Sequence, residues 1–569
     1  MQDLCAVFLL LVLFVVYSPA LHGSYLWDDS RHIPDRPSLY TPTGLKLIWT
    51  QPGYTQQYYP LMFTTVWVEH HLWGASPLGY HLVTLFFHGC NAILVALLLT
   101  ELGFPGAWWV AFLFALHPIQ VESVAWMTEL KNTQSTFFYL LALLTLLRFP
   151  LPAAASGERG CRSWFYYALA IFLYLCALSS KTISCTLPAV AMVLLWYRND
   201  CVRTIEVLQL LPFFGAGLAL ASVTSGFEKN ILGAAGPAWD FTFYEHFLIV
   251  GRAFWFYIGK LLWPHPLNFT YPLWEVHRWG KANILFPIAV VLLFGVLWRG
   301  RRRWGKAPFA AMAIFAACLS PALGLVHLYP MRYSFVADHF QYQAGIGVIA
   351  LAVAVIWRLG YCARVAVLTV LCVGSGLATW NRAHVYRDPE VFYQDILSKY
   401  PTCVMAMDNL ARAFLSKGAV PEARACVTRA FQEDPNDLDA QILMGNLLLY
   451  YDHRPLAARP YYEQACRQIS DFYPSHSKQG YLFALHAQLA ETYFEAKQFP
   501  EAEKLFQTAL GEIPALAQQP YYDFTPEGLT LYEGEYRYRL AAVLEEEGKY
   551  REASRQFNLV LRLPTTNRK

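Results

Sequence analysis

The chain has 569 residues, of which 56% are apolar and only 15% are charged. Average globular proteins carry about 25% charged residues, so the composition excludes a single soluble domain and indicates a membrane protein. The formal net charge of +3 and the lack of a long Lys/Arg tract argue against nucleic-acid binding. The twelve cysteines form no metal-type pair, so neither a zinc site nor a disulfide framework is expected.

Apolar runs long enough to cross a bilayer recur up to about residue 380. The first run ends in small residues, as a signal peptide does, but no basic stretch precedes it. We interpret it as a retained transmembrane helix. Two aromatic-rich stretches, 59–73 and 246–263, are instead expected to lie at the membrane surface as amphipathic helices. The eleven predicted spans are 4–20, 80–101, 106–123, 133–148, 163–180, 182–197, 205–223, 284–298, 307–326, 342–358 and 364–380.

The positive charges between the spans predict the orientation, because loops rich in Lys and Arg stay cytoplasmic. Arg148, Arg198, the cluster 299–306 and Arg358 fall on one face if the chain crosses eleven times. Counting 246–263 as a twelfth span would move that cluster to the outer face. The external face then carries Asp28 and Asp29, the segments 117–132, 224–283 and 327–341, and the C-terminal part of the chain.

From about residue 403 charges become frequent and a period near 34 residues appears, which is typical of tetratricopeptide (TPR) helix pairs. In such pairs small residues lie where two helices cross closely, and aromatic residues fill the gap to the next pair. Three units match well, and a fourth matches if one residue is inserted. The first two have Asn409, Leu410, Ala411, Phe414, Gly418, Ala423, Ala430 and Pro435, then Ala490, Tyr493, Ala502, Phe506, Ala509 and Pro514. The third has Ala541, Leu544, Ala553 and Phe557, and the fourth has Gly445, Ala458, Tyr462 and Ala465.

These patterns predict an all-α protein with a membrane domain at 1–382, a linker at 383–402 and a TPR domain at 403–569. The concave surface of a TPR array commonly binds peptide, and we expect it to hold a protein acceptor. Because fold alone does not determine function, a passive spacer or an oligomerisation arm is left open.

Two adjacent carboxylates, Asp28 and Asp29, follow the first apolar run. A carboxylate at a membrane–water boundary is only partly solvated, so its pKa can be tuned for proton transfer. The pair could simply be solvated loop acids, or one of them could deprotonate a hydroxyl as a general base. The residues alone leave these interpretations even. A divalent cation held by the pair and by waters is also left open.

The segment 117–132 is the second candidate, since it places His117, Glu122, Glu129 and Lys131 close together at the end of a span. Charges at that depth need partners or a wet cavity. Lys131 could pair with a substrate phosphate, or it could simply extend its ammonium group to water.

Arg332 and His339 lie on the same predicted face. Cations near a membrane surface suit a phosphate or pyrophosphate leaving group. Tyr59 precedes Pro60, which could merely begin the helix predicted at 59–73. The sequence has no glycine-rich phosphate loop, GxSxG or HExxH motif, so it does not support a soluble nucleotide hydrolase, a serine hydrolase or a zinc protease.

Three groups of motifs follow one another along the chain, and the repeats follow them. They are YLWDD at 25–29, then YPL at 59–61 with LWG at 72–74 and GYH at 79–81, and HPIQVESVAW at 117–126. Over nearly its entire length the chain resembles the transmembrane, TPR-containing O-mannosyltransferases and their bacterial relatives. That family is placed in the GT-C class of polytopic glycosyltransferases.

The resemblance implies a sugar carried on a polyprenyl phosphate and transferred, with inversion, to an acceptor on the outer face. It also implies that Asp28 or Asp29 is the base. Many relatives carry Arg where this chain has Tyr59, which directs attention to Lys131 or Arg332 as the cation that contacts the lipid phosphate. The implied location is a bacterial inner membrane with the TPR domain in the periplasm, or the endoplasmic reticulum membrane with that domain in the lumen.

Two rival functions stay open. One is a non-catalytic membrane scaffold whose repeats recruit partners to an envelope assembly, in which case Asp28 and Asp29 tolerate substitution. The other is an enzyme that joins lipid-linked glycans, in which case the acceptor is a glycan rather than a protein.

Overall fold

The computed structural model describes residues 2–34, 36–148, 161–230, 234, 236, 239–324, 328–472, 475–518 and 526–563. These residues form helices joined by turns and loops, with no strand among them. The all-α prediction is therefore confirmed. The chain divides into two compact units, which are described separately. The first comprises Met1–Asp35, Tyr59–Gly226 and Ala238–Asp395, and the second comprises Arg36–Tyr58, Phe227–Pro237 and Ile396–Lys569.

The helices are numbered in chain order. Those that begin before residue 400 are α1 Gln2–Tyr17, α2 Asp29–His32, α3 Pro42–Thr50, α4 Pro60–Trp73, α5 Pro77–Glu101, α6 Ala107–Leu116, α7 Val121–Ala125, α8 Leu130–Arg148, α9 Cys161–Ser180, α10 Leu187–Asn199, α11 Thr204–Asn230, α12 Phe243–Leu262, α13 Leu285–Trp304, α14 Ala307–Leu319, α15 Gly345–Ile356, α16 Tyr361–Val385 and α17 Pro389–Lys399. The later ones are α18 Val404–Ser416, α19 Val420–Glu433, α20 Leu438–Asn446, α21 Pro455–Phe472, α22 Ser475–Glu495, α23 Phe499–Gln518, α24 Pro526–Glu546 and α25 Tyr550–Arg562.

Four helical stretches in the described part of the chain are long and apolar enough to cross a membrane. They are α5, α11, α16 and Lys281–Trp304, which contains α13. Along α13 the apolar side chains of Leu285, Val291 and Leu292 are each more than 60% exposed, an arrangement that suits lipid and not water. Shorter apolar helices include α1, α6, α14 and α15. The chain is thus an integral membrane protein, while the number of spans stays a prediction.

The predicted span 106–123 is not one continuous helix. Helix α6 ends at Leu116, because a proline at 118 disfavours helical geometry at the residue before it. The chain continues through a 3₁₀ turn at Pro118–Gln120, the short α7 and a second 3₁₀ turn at Met127–Glu129 before α8 begins. Every residue from 113 to 130 is buried. The polar segment therefore lies inside the first unit instead of forming an exposed loop.

The second unit contains successive helix pairs whose predicted small residues are buried. Ala411, Ala423, Ala490 and Ala502 have no exposed surface. The weaker repeat shows how its extra residue is accommodated. Helix α20 passes into a π-helical turn at Leu447–Tyr451, and a π turn is the usual way for a helix to absorb one inserted residue. The TPR interpretation itself stays a prediction.

The predicted linker is mostly helical. Helix α16 continues to Val385 and α17 occupies Pro389–Lys399, while the boundary between the two units falls after Asp395. Two short stretches from the first half of the sequence, 36–58 and 227–237, also group with the second unit. The domain borders at 382 and 403 accordingly differ from this division.

Candidate functional site

The candidate site begins at a closed turn that presents Trp27 and Asp28. The backbone N–H of Asp29 donates to the carbonyl of Leu26 at 2.9 Å, and the N–H of Leu26 donates to Asp29 Oδ2 at 3.0 Å. The two residues at the tip of this turn are half-buried. Trp27 has a φ of +50°, a left-handed conformation that a bulky side chain rarely adopts.

A hydrogen bond to Asp29 connects this turn with the buried segment that follows α6. The Oδ1 atom of Asp29 accepts a 2.9 Å hydrogen bond from the N–H of Thr128, and the side chain has no exposed surface. Burial raises the pKa of Asp29 to about 7, although the hydrogen bonds from Leu26 and Thr128 act in the opposite direction. Asp28 therefore faces the accessible side, while Asp29 occupies the interior.

Beside Thr128, one carboxylate holds two lysines. Glu129 Oε1 lies 2.9 Å from Lys131 Nζ and its Oε2 lies 3.1 Å from Lys181 Nζ. Lys181 also donates to Asn132 Oδ1 at 2.7 Å. Burial alone would raise the pKa of Glu129, but the two ammonium groups hold it well below its usual value. These three charged groups, here called the lysine clamp (Glu129, Lys131 and Lys181), carry a net charge of +1 when all are ionised.

Burial lowers the pKa of Lys181 to about 8, an effect that the carboxylate of Glu129 only partly offsets. The pKa of the Lys181 ammonium group therefore lies close to neutral pH. Asn132 joins the clamp to its surroundings, because its Nδ2 donates to Ser123 Oγ at 3.1 Å and to the carbonyl of His339 at 3.0 Å.

His339 also lies in this interior. Its Nδ1 is 2.6 Å from Glu122 Oε1, and its ring meets Trp126 edge-on at 5.9 Å between centroids. Burial lowers the pKa of His339 to about 3, so the ring is neutral at physiological pH. A neutral ring makes His339 a hydrogen-bonding partner of Glu122 and not the phosphate-binding cation that its sequence position suggested.

Aromatic contacts connect Arg332 with the turn. Arg332 is half-buried, with its guanidinium 6.0 Å from the ring of Tyr333. That ring in turn meets Trp27 at 6.1 Å. Arg332 is thus one aromatic ring away from the turn that carries Asp28, a position suited to the predicted contact with a phosphate.

The structure does not bring His117 and Tyr59 into this cluster. The Nε2 atom of His117 lies 3.0 Å from the carbonyl of Leu261, and its Nδ1 accepts the N–H of Ile119 at 3.3 Å. Both ring nitrogens therefore serve the backbone. Tyr59 is buried at the start of α4, where it precedes Pro60.

Sequence reasoning missed Lys181 and Asn132. A signal for Lys181 existed, because this isolated cation interrupts two apolar runs at a turn predicted on the external face. The signal for Asn132 was weaker, since one amide next to Lys131 does not stand out from any other polar residue in the first turn of a helix.

Among the residues that the structure describes, no group of three or more His, Cys, Asp or Glu side chains is placed to hold a metal ion. Asp29 uses both carboxylate oxygens to accept backbone N–H groups and has no exposed surface, so it offers no accessible oxygen to an ion in this arrangement. A divalent cation at Asp28 and Asp29 stays an untested prediction without support from this geometry.

Fold and site together define a polytopic membrane protein with a buried cluster of acids and cations. Proteins with similar sequences are named protein O-mannosyl-transferases. The chain is 22% identical over 447 residues to the protein O-mannosyl-transferase F38B6.6 of Caenorhabditis elegans, an alignment covering 74% of this chain and 61% of that relative. It is 26% identical over 353 residues to the protein O-mannosyl-transferase Tmtc1 of Drosophila melanogaster, covering 55% of this chain and 40% of that relative.

A third relative is the human protein O-mannosyl-transferase TMTC2, 25% identical over 208 residues, with 35% of this chain and 24% of the relative covered. These names confirm the resemblance drawn from the motifs. The chain spans less than two thirds of the length of each of these three relatives.

No family model matches the chain. Among solved structures, it is similar to ArnT from Cupriavidus metallidurans bound to undecaprenyl phosphate. That similarity covers 87% of this chain and 88% of the other, at 13% identity and a TM-score of 0.33. Such a low TM-score supports no conclusion about the site.

Proposed function

We propose that this chain is an integral-membrane glycosyltransferase of the GT-C type that transfers a sugar from a polyprenyl phosphate to a hydroxyl of a protein acceptor. The observation that carries the proposal is the junction between Asp29 and Thr128. It joins the turn that presents Asp28 to the segment that holds the lysine clamp, so a general base and a pair of cations belong to one rigid arrangement. The names of the relatives support the same activity.

Asp28 is the residue that we assign as the base. A base must come within about 3 Å of the proton that it removes, and Asp28 is half-buried with an accessible side chain. Asp29 has no exposed surface, and both of its oxygens already accept backbone N–H groups. Asp29 is therefore a positioning residue that holds the turn in place.

The reaction moves one proton and one glycosyl group. The acceptor oxygen attacks the anomeric carbon and gives its proton to the carboxylate of Asp28, while the bond from that carbon to the phosphate oxygen breaks. The leaving phosphate keeps the electron pair of that bond. Attack opposite the leaving group inverts the anomeric centre, and nearby cations stabilise the charge that develops on the phosphate.

Lys131, Lys181 and Arg332 are the cations assigned to the phosphate side of the site. The excess of one positive charge in the lysine clamp supports this assignment. The C-terminal helix pairs are proposed to bind the protein acceptor. The active face is periplasmic if the chain is bacterial and lumenal if it belongs to the endoplasmic reticulum.

Transfer assays on Asp28→Asn and Asp29→Asn test the proposal. Membranes containing each variant are incubated with radiolabelled polyprenyl-phosphate mannose, which carries the sugar in the relatives' names, and with protein acceptor. Asp28→Asn should lower turnover about 100- to 10,000-fold with little change in donor KM or in thermal stability. Asp29→Asn keeps one oxygen that can accept an N–H, so it should retain measurable transfer.

Full activity in Asp28→Asn would remove the carboxylate mechanism and would favour the scaffold function. Loss of transfer in Asp29→Asn with normal transfer in Asp28→Asn would reverse the two assignments. Label recovered in a glycan instead of a protein would favour the enzyme that joins lipid-linked glycans.

A further inference from the structure

The closed turn carries an aromatic residue whose backbone is strained. Trp27 has a φ of +50°, and such a conformation persists in a bulky residue only when its surroundings enforce it. The two hydrogen bonds between Leu26 and Asp29 provide that enforcement. The indole therefore occupies a defined place in the turn, directly before Asp28.

A path of aromatic contacts leads from this indole to the lysine clamp. Trp27 lies 6.0 Å from Phe269 and Phe269 lies 5.1 Å from Trp126, measured between ring centroids. Trp126 in turn lies 5.5 Å from Lys131 Nζ, a member of the lysine clamp. The rings thus form a path of contacts from the residue next to Asp28 to a member of the lysine clamp. A donor whose sugar and phosphate reach these two groups would lie along this path.

The face of Trp27 suits a sugar ring. Its recorded ring neighbours, Phe269 and Tyr333, are inclined to it by 57° and 87°, so neither stacks parallel on the indole, and Trp27 is only half-buried. The negative face of an aromatic ring attracts weakly positive C–H groups, and one side of a pyranose ring presents several of them.

Trp126 adds a polar contact to the apolar surface. Its side chain is 94% buried, since only 6% of the residue is exposed. Its Nε1 atom has no hydrogen-bond partner among the described residues, whereas a buried indole N–H usually finds one. A hydroxyl of the sugar would satisfy this donor.

We infer that Trp27, Phe269 and the Nε1 atom of Trp126 form a subsite for the hexose ring of the donor, with Trp27 as the stacking surface and Trp126 as a hydroxyl donor. This inference rests on the proposed function and adds the residues that recognise the sugar itself. It makes Trp27 a specificity-determining residue, distinct from the base and from the cations.

Binding measurements with two lipids separate the sugar from its carrier. Purified full-length protein in nanodiscs is titrated with polyprenyl-phosphate mannose and, separately, with polyprenyl phosphate that carries no sugar. Trp27→Leu should weaken binding of the sugar-linked lipid about two- to tenfold and leave binding of the bare lipid unchanged. Trp27→Phe, which keeps an aromatic face, should lie close to the wild type.

Trp126→Phe should weaken only the sugar-linked lipid, because it removes the N–H and keeps a ring. The matched control is Trp304→Leu, a Trp that is 44% exposed at the end of α13 and that should bind both lipids normally. If Trp27→Leu binds each lipid with the same affinity as the wild type does, the subsite is overturned. Equal weakening of both lipids would also overturn it and would make Trp27 an interfacial anchor.

The subsite and the proposed function can fail independently of each other. If Trp27→Leu binds both lipids normally while Asp28→Asn abolishes transfer, the subsite is wrong and the glycosyltransferase stands. If Asp28→Asn transfers at the full rate while Trp27→Leu selectively loses the sugar-linked lipid, the assigned base is wrong and the subsite stands.

Discussion

Replacing Glu129 by Gln should strongly destabilise the folded membrane unit. The carboxylate side chain is 1% exposed, and its two oxygens lie 2.9 Å and 3.1 Å from the ammonium groups of Lys131 and Lys181. The replacing amide carries no charge, and its nitrogen would have to face one of these ammonium groups. One buried and one half-buried positive charge would then share a site that has lost its counter-charge.

The expected cost follows from the burial of the pair. Removing one partner of a buried ion pair costs about 3–5 kcal/mol. Lys181 can reduce this cost by releasing its proton, since burial already lowers its pKa to about 8 and the loss of Glu129 would lower it further. The destabilisation relative to the wild type should therefore shrink as the pH rises towards 8.

Thermal unfolding of both proteins in nanodiscs, followed by circular dichroism at several pH values, measures this effect. The control is Glu101→Gln. Glu101 lies 3.7 Å from Arg148 in a pair whose side chains are 32% and 59% exposed, so its removal should cost only about 0–1 kcal/mol. A Glu129→Gln variant that unfolds like the control at pH 6 would refute the buried clamp.

Four further outcomes are expected. The unfolding free energy of the wild type relative to Asp29→Asn should fall as the pH rises from about 4 to about 7. Folded Asp29 has a pKa of about 7 and retains a proton that the unfolded chain releases near pH 4, and pH-dependent melting checks this. Gly445→Ala should destabilise the second unit by about 1–3 kcal/mol, because the new Cβ would lie 2.7 Å from the ring of Tyr462. In the same melting assay Gly511→Ala, which meets open space, should stabilise it by about 1 kcal/mol. Deleting Tyr450 should convert the π turn to regular α-helix and preserve the helical circular dichroism signal of the full chain.

The helices were largely predictable because apolar runs and prolines are local signals. The span predicted at 284–298 lies within the apolar helical stretch Lys281–Trp304, and the surface helix predicted at 246–263 corresponds closely to α12. The break inside 106–123 shows the limit of hydropathy alone. Pro118 signals a helix end, but the surrounding residues are so apolar that an averaged pattern passes over it.

The helical repeat was predictable to the level of one inserted residue. The weaker unit fits the period only with an insertion between Gly445 and Ala458, and the π turn at Leu447–Tyr451 falls in that interval. A sequence period detects such an insertion because it shifts every later position by one. It cannot locate the turn within the interval, since a residue inserted anywhere between those two positions shifts the later ones equally.

Part of the candidate cluster, including Asp29, Glu129 and Lys131, was identifiable in the sequence, whereas the contacts that distinguish its members were not. Asp28 and Asp29 are chemically equivalent in the sequence. Their difference arises from the N–H of Thr128, which reaches Asp29 from 99 positions away. Likewise His117 contacts the carbonyl of Leu261, 144 residues away, and does not join the cluster. Contacts at such separations leave no periodic trace in a single sequence.

The charge of the lysine clamp links its stability to the proposed reaction. A sugar attached to a polyprenyl phosphate is a phosphodiester with one negative charge, so the donor would neutralise the excess of one positive charge on Glu129, Lys131 and Lys181. When the bond to the sugar breaks, the leaving phosphate gains further negative charge. A cluster without Glu129 would hold the donor more tightly but would be hard to keep ionised when empty. One carboxylate between two lysines therefore balances a stable empty site against stabilisation of the leaving group, where charge develops in the transition state.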